Sequence, residues 1–123
     1  VVQQIQKSGG RAQALGFDVS QRDSIDAALD AYFKENPTDK IEVLVNNAGV
    51  HKDTLLGLMS DDDFDQVMKA NTYGPFFLMR WSIKKMIRQR SGCVVNVASL
   101  AGQTGHGSRR SWNSCKRCGA RTD

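Results

Sequence analysis

No apolar run in this sequence approaches the ~20 residues that a membrane-spanning helix needs. The longest candidates, residues 41–45 and 76–79, are far too short, so no membrane partner is expected. The first ten residues lack the basic and then apolar profile of a secretory signal, and position 1 is Val1 rather than methionine. Cysteine is scarce and unevenly placed. Cys93, Cys115 and Cys118 are too few for the disulfide framework of a small secreted domain. These absences predict a soluble intracellular chain, cytoplasmic or organellar (plastid or mitochondrial), that starts inside a longer reading frame. What is present, 123 residues with 40% apolar and 24% charged side chains, bounds one domain.

The net charge of +4 is unevenly distributed. Residues 1–103 carry 12 basic and 12 acidic side chains, and the whole excess lies beyond them, in Arg109, Arg110, Lys116, Arg117 and Arg121 against Asp123. From residue 104 onward there is no Leu, Ile, Val, Phe, Met or Tyr, so Trp112 is the only large apolar side chain that could fasten this stretch to a core. Residues 1–103 therefore read as the folded body, and 104–123 as a basic tail, disordered or produced by a shifted reading frame.

Periodicity divides the body into alternating helices and strands. Residues 1–7 read as a helix end stopped by Gly9 and Gly10, and residues 11–19 as a short strand. Ser20 and Asp23 resemble a capping box ahead of Ile25, Ala28, Leu29, Tyr32 and Phe33, which recur on one helical face until Pro37. Ile41, Val43, Leu44 and Val45 predict a parallel strand buried on both faces. Ser60 predicts a helix cap, with Asp61, Asp62 and Asp63 at the positive end of the dipole. Asn71, Gly74 and Pro75 interrupt that helix. A Met and aromatic face from Phe76 to Ile87 predicts core packing, the helix is expected to stop near Ser91 and Gly92, and Val94, Val95, Val97 and Ala98 predict another buried strand. Alternation of this kind implies an α/β fold, part of a Rossmann-type doubly wound parallel sheet, with ligand at the carboxyl ends of the strands.

Polar groups stand where strands end or helices break: Asn46 and Asn47, Asn71, and Ser99. The segments around them, Leu44-Val45-Asn46-Asn47-Ala48-Gly49, Lys69-Ala70-Asn71-Thr72-Tyr73-Gly74 and Val94-Val95-Asn96-Val97-Ala98-Ser99, resemble three successive motifs of the short-chain dehydrogenases/reductases, in order. Asp18-Val19 is similar to that family's adenine-contacting motif. Asp53-Thr54-Leu55-Leu56 and the 86–92 segment are most similar to its β-ketoacyl-acyl-carrier-protein reductase branch, a part of fatty acid biosynthesis. The resemblance spans residues 1 to about 105, the middle of the usual domain, and it implies that the first strands and the C-terminal part of the sheet are not in this sequence.

The resemblance implies an NAD(P)-dependent oxidoreductase, NADP favoured, acting on a ketoacyl or other carbonyl substrate and assembling as a homo-oligomer. Asn47, Ala48 and Gly49 would line the adenosine side of the cofactor, and Asp18 and Val19 would hold the adenine. Asn71 would hold a relay water on its carbonyl, and Ser99 would donate to the substrate carbonyl. The family's general-acid Tyr stands four residues before a Lys. Counting from Ser99 reaches Trp112 and then Lys116, so the Lys is present and the Tyr is not. An indole N–H does not titrate near neutrality, and losing a general acid costs ~10²–10⁴ in rate. The family's glycine-rich phosphate turn is also absent from this sequence. The chain as written is therefore expected to be inactive. A non-catalytic module pairing with intact homologues through the 76–87 helix face is the alternative.

Cys115 and Cys118 have metal-like spacing, but too few further ligands accompany them for zinc, and no metal is expected. The basic tail lacks interleaved aromatics or a groove-reading helix, so nucleic acid is not an expected partner.

Overall fold

The computed structural model describes residues 1–99. In chain order they form helix α1 (Val2–Lys7), helix α2 (Arg22–Glu35), strand β1 (Val43–Asn46), a 3₁₀ turn (Leu56–Leu58), helix α3 (Asp61–Met68), a π-helical turn (Lys69–Tyr73), helix α4 (Gly74–Gln89) and strand β2 (Cys93–Asn96). β1 and β2 pair in parallel, with Val43 opposite Cys93 and Asn46 opposite Asn96. Parallel neighbours require a crossover, and here α3, the π turn and α4 supply it.

The helix ends follow local chemistry. Ser60 Oγ accepts the Asp63 N–H at 3.1 Å, as the sequence predicts, with Asp61, Asp62 and Asp63 in the first turn. α2 stops at Glu35 because Asn36 precedes Pro37 and is steered out of helical geometry. The N-terminus of α2 departs from expectation. Its cap is Gln21, without a side-chain bond, because the Ser20 hydroxyl and N–H both donate to Asp18 Oδ1, at 2.7 and 2.8 Å. A charged acceptor two residues away outcompetes the capping box. At the end of α4 the left-handed residue is Arg90 (φ 56°), with Gly92 at φ 151° pressed against Met86.

The expected strand at 11–19 is not formed. A strand exists through its ladder, and among the described residues β1 has one ladder partner, β2, while 11–19 has none. The segment is held instead by single bonds, from Gln6 Nε2 to the Ala12 carbonyl and from the Asp18 N–H to Ser24 Oγ.

The strands also differ from the two-sided burial expected of them. On one face Leu44 and Val94 are half-buried and Asn46 is buried, and Asn96 Nδ2 reaches Met79 Sδ of α4 at 3.7 Å. On the other, Val43 (57%) and Val45 (55%) are open, as are Val95 and Val97. The apolar core lies between α2, α4 and the covered face and includes Ile25, Ala70 and Met86. Phe33 stacks on Trp81 at 5.4 Å to join the two helices, and Gln89 brackets the Ile41 N–H and carbonyl, tying the end of α4 to the start of β1. The 76–87 face is core only in part. Met86 is buried, while Phe76, Ile83 and Ile87 (70%) are exposed. Among the described residues, no helix is long and apolar enough to cross a membrane.

Candidate functional site

At the carboxyl ends of β1 and β2 lies an open cavity of about 970 Å³. Both strands run the same way, so the chain leaves them on one edge of the sheet, and the segments 46–53 and 96–99 form facing walls. The π turn and the start of α4 close the third side through Asn71, Thr72, Pro75 and Met79. Asn47, Ala48, Gly49, Asn71 and Ser99, five of the residues singled out in the sequence, thus line one cavity.

The floor is an amide pair. Asn46 and Asn96 are in register, and Asn46 Nδ2 donates to Asn96 Oδ1 at 2.7 Å. Asn46 is 6% exposed, and among the described residues its buried Oδ1 has no hydrogen-bond partner. The ladder continues one step past the pair, where the Val97 N–H donates to the Asn46 carbonyl at 2.9 Å. The role of Asn96 was not read from the sequence. The signal was the repeated ending of two apolar strands, Val45-Asn46 and Val95-Asn96.

Asn71 clamps the opposite wall. Its Oδ1 accepts the Val50 N–H at 2.8 Å and its Nδ2 donates to the Val50 carbonyl at 2.7 Å. Gly49 fits beneath this clamp, since a Cβ there would stand 3.3 Å from Asn71 Oδ1. Asn71 sits in the π turn, where the Gly74 N–H reaches back to the Lys69 carbonyl. Pro75 has no N–H, so the donor that an α-helix would offer the Asn71 carbonyl does not exist. The side-chain amide is spent on structure. Outside the clamp, Lys52 Nζ meets Asp63 Oδ1 at 3.0 Å. Lys52 and Ser60 hold the Asp63 carboxyl below its ordinary range.

Asp18 and Val19 lie outside the residues lining the cavity. Their loop crosses the start of α4, where Gly74 is required because a Cβ would come within 2.7 Å of the Val19 carbonyl. Hydrogen bonds from the Ser20 hydroxyl and N–H lower the Asp18 pKa. Lys116, Trp112, Cys115 and Cys118 fall outside the described residues, as does the 104–123 tail.

The sequence profile of the short chain dehydrogenases matches residues 1–120. This chain belongs to the short-chain dehydrogenase family. It is 36% identical over 110 residues to the 3-oxoacyl-[acyl-carrier-protein] reductase FabG of Aquifex aeolicus, covering 89% of this chain and 44% of that protein. It is 34% identical over 116 residues to the 3-oxoacyl-[acyl-carrier-protein] reductase of Synechocystis, covering 94% and 46%. Among solved structures, a putative gluconate dehydrogenase from Agrobacterium tumefaciens superposes with a TM-score of 0.80 at 28% identity, over 94% of this chain and 45% of that one. A metagenomic short-chain oxidoreductase in complex with NADP gives 0.76 at 31%, over 83% and 46%. The chain thus spans less than half the length of these relatives, and the two-stranded sheet of its described residues is part of their Rossmann-type fold.

Proposed function

We propose that this chain carries the central part of an NAD(P)H-dependent reductase site for β-ketoacyl thioesters, with NADP the favoured cofactor. The supporting observation is that Asn47, Ala48, Gly49, Asn71 and Ser99 line one cavity at the strand ends. The lining fits one flank of a dinucleotide. Ala48 and Gly49 offer backbone without bulk, and the Asn46 amide beneath keeps an acceptor that is unsatisfied among the described residues. Bound there, the nicotinamide supplies hydride. Asn47, Ala48 and Gly49 flank the adenosine side, with Asp18 and Val19 toward the adenine. Ser99 donates to the carbonyl oxygen as it gains charge, the kind of stabilisation that acts mainly in the transition state. The Asn71 carbonyl holds a water in the proton path, and Lys116 is the candidate partner of the nicotinamide ribose.

With Trp112 at the position of the proton donor, the 123-residue chain is inactive in this reading. Purified chain should leave NADPH absorbance unchanged in the presence of a β-ketoacyl thioester, and NADPH consumption above the blank contradicts that. The site itself is tested by a chimera in which residues 1–99 replace the matched segment of the Aquifex reductase. Retained ketoacyl reduction supports the assignment, and a folded chimera without it rejects the assignment.

One observation favours a second reading, pairing with intact homologues: Phe76, Ile83 and Ile87 are exposed along α4. Co-purification with a full-length relative that is lost on Ile83→Asp would support it.

A further inference from the structure

The Met and aromatic face of α4 is expected to be core, yet one of its sulfurs stands at the cavity. Of the four methionines in the sequence, Met79 is the one that lines the open cavity of about 970 Å³ at the strand ends. Its side chain is half-buried. Met86, two turns further along α4, is the contrast. It is 7% exposed, and its Sδ lies so close to Gly92 that a Cβ there would stand 2.6 Å away.

The Met79 sulfur is also oriented. Asn46, itself 6% exposed, donates from Nδ2 to Asn96 Oδ1 at 2.7 Å. That bond fixes the Asn96 carboxamide, whose Nδ2 donates to Met79 Sδ at 3.7 Å. A thioether sulfur is a weak acceptor, and the two amides hold this one in a single orientation. The Asn96 amide takes up one of the two sulfur lone pairs. The other is the one that a small electrophile entering the cavity meets.

We infer that Met79 is a site of oxidation by hydrogen peroxide, and that the Asn96 amide directs the oxygen to one face of its sulfur. The Sδ lone pair attacks one peroxide oxygen. The S–O bond forms as the O–O bond breaks, and the departing hydroxide takes up the remaining peroxide proton and leaves as water. Sulfur is oxidised by two electrons and peroxide is reduced. The product, methionine sulfoxide, is polar and chiral at sulfur, so a directed attack yields mainly one epimer and places a dipole in a wall of the cavity. The inference rests on the cavity geometry and not on the assignment of a cofactor.

The test treats the full chain with graded hydrogen peroxide and maps sulfoxides in tryptic peptides. Cleavage after Lys69, Arg80, Lys85 and Arg88 isolates Met79 in peptide 70–80 and Met86 in peptide 86–88. In the folded chain peptide 70–80 should gain an oxygen about fivefold faster than peptide 86–88, and in denaturant the two rates should converge. Each of the two methionine sulfoxide reductases acts on one epimer, so one of them should restore about three-quarters or more of the oxidised 70–80 peptide. Asn96→Asp keeps an acceptor for the Asn46 amide and removes the donor to sulfur, at a position exposed to solvent. With its fold checked by circular dichroism, this variant should give the two epimers in near-equal amounts; if it does not fold, the epimer ratio of the unsubstituted chain decides. Equal oxidation of Met79 and Met86 in the folded chain, an even epimer mixture there, or an undiminished epimer excess in folded Asn96→Asp overturns the inference.

Discussion

The two faces of the β1–β2 sheet are built from the same residue types and end differently. One lies against α4, with Leu44 and Val94 half-buried and the Asn46–Asn96 pair bonded beneath the cavity. The other presents Val43, Val45, Val95 and Val97 to solvent. The contrast teaches that a near-continuous aliphatic run records the burial a parallel strand calls for, while the burial observed depends on which layers are at hand.

The contrast can be broken or sharpened by substitution. On the packed side, Ile25 is fully buried, so Ile25→Ala should cost ~2–5 kcal/mol, read as a lowered denaturant midpoint. At the cavity floor, Asn96→Ala removes the acceptor of the buried Asn46 amide. A cost of ~1–3 kcal/mol is expected, and an unchanged midpoint would mean that the pair is not a structural bond. At the edge of the same wall, Asp63 has a lowered folded pKa, owing first to Lys52 and then to Ser60. Its contribution is fully present above the unfolded value of ~3.9 and is lost as pH falls through the lower folded value. Lys52→Gln should therefore reduce the melting-temperature loss between about pH 5 and about pH 2. The smallest effect is expected on the open face, where Val45→Thr should stay within about 0.5 kcal/mol. A loss of several kcal/mol there would show that this face is covered in solution.

Much of the fold was legible where local pattern and tertiary need agree. The 3.6-residue spacing of Ile25, Ala28, Leu29, Tyr32 and Phe33 marks α2, and Ser60 ahead of three aspartates marks the start of α3. The 11–19 segment was read as a strand, but a ladder depends on a neighbour, and among the described residues it has none. The Ser20 cap failed because Asp18 offers that hydroxyl a charged acceptor. At the site, polar residues after parallel strands converge by topology, which is why Asn47 and Ser99 could be placed together from sequence. The Asn71 clamp on Val50 spans 21 positions and leaves no local trace. Nor does the sequence indicate that the Asp18-Val19 loop crosses α4 at Gly74, outside the cavity lining.

The most direct test of the proposed nicotinamide site is the turnover of the Aquifex chimera carrying Ser99→Ala, measured at saturating NADPH and ketoacyl thioester. The account predicts that kcat falls about 10²-fold or more while NADPH affinity is unchanged. An undiminished kcat would contradict it.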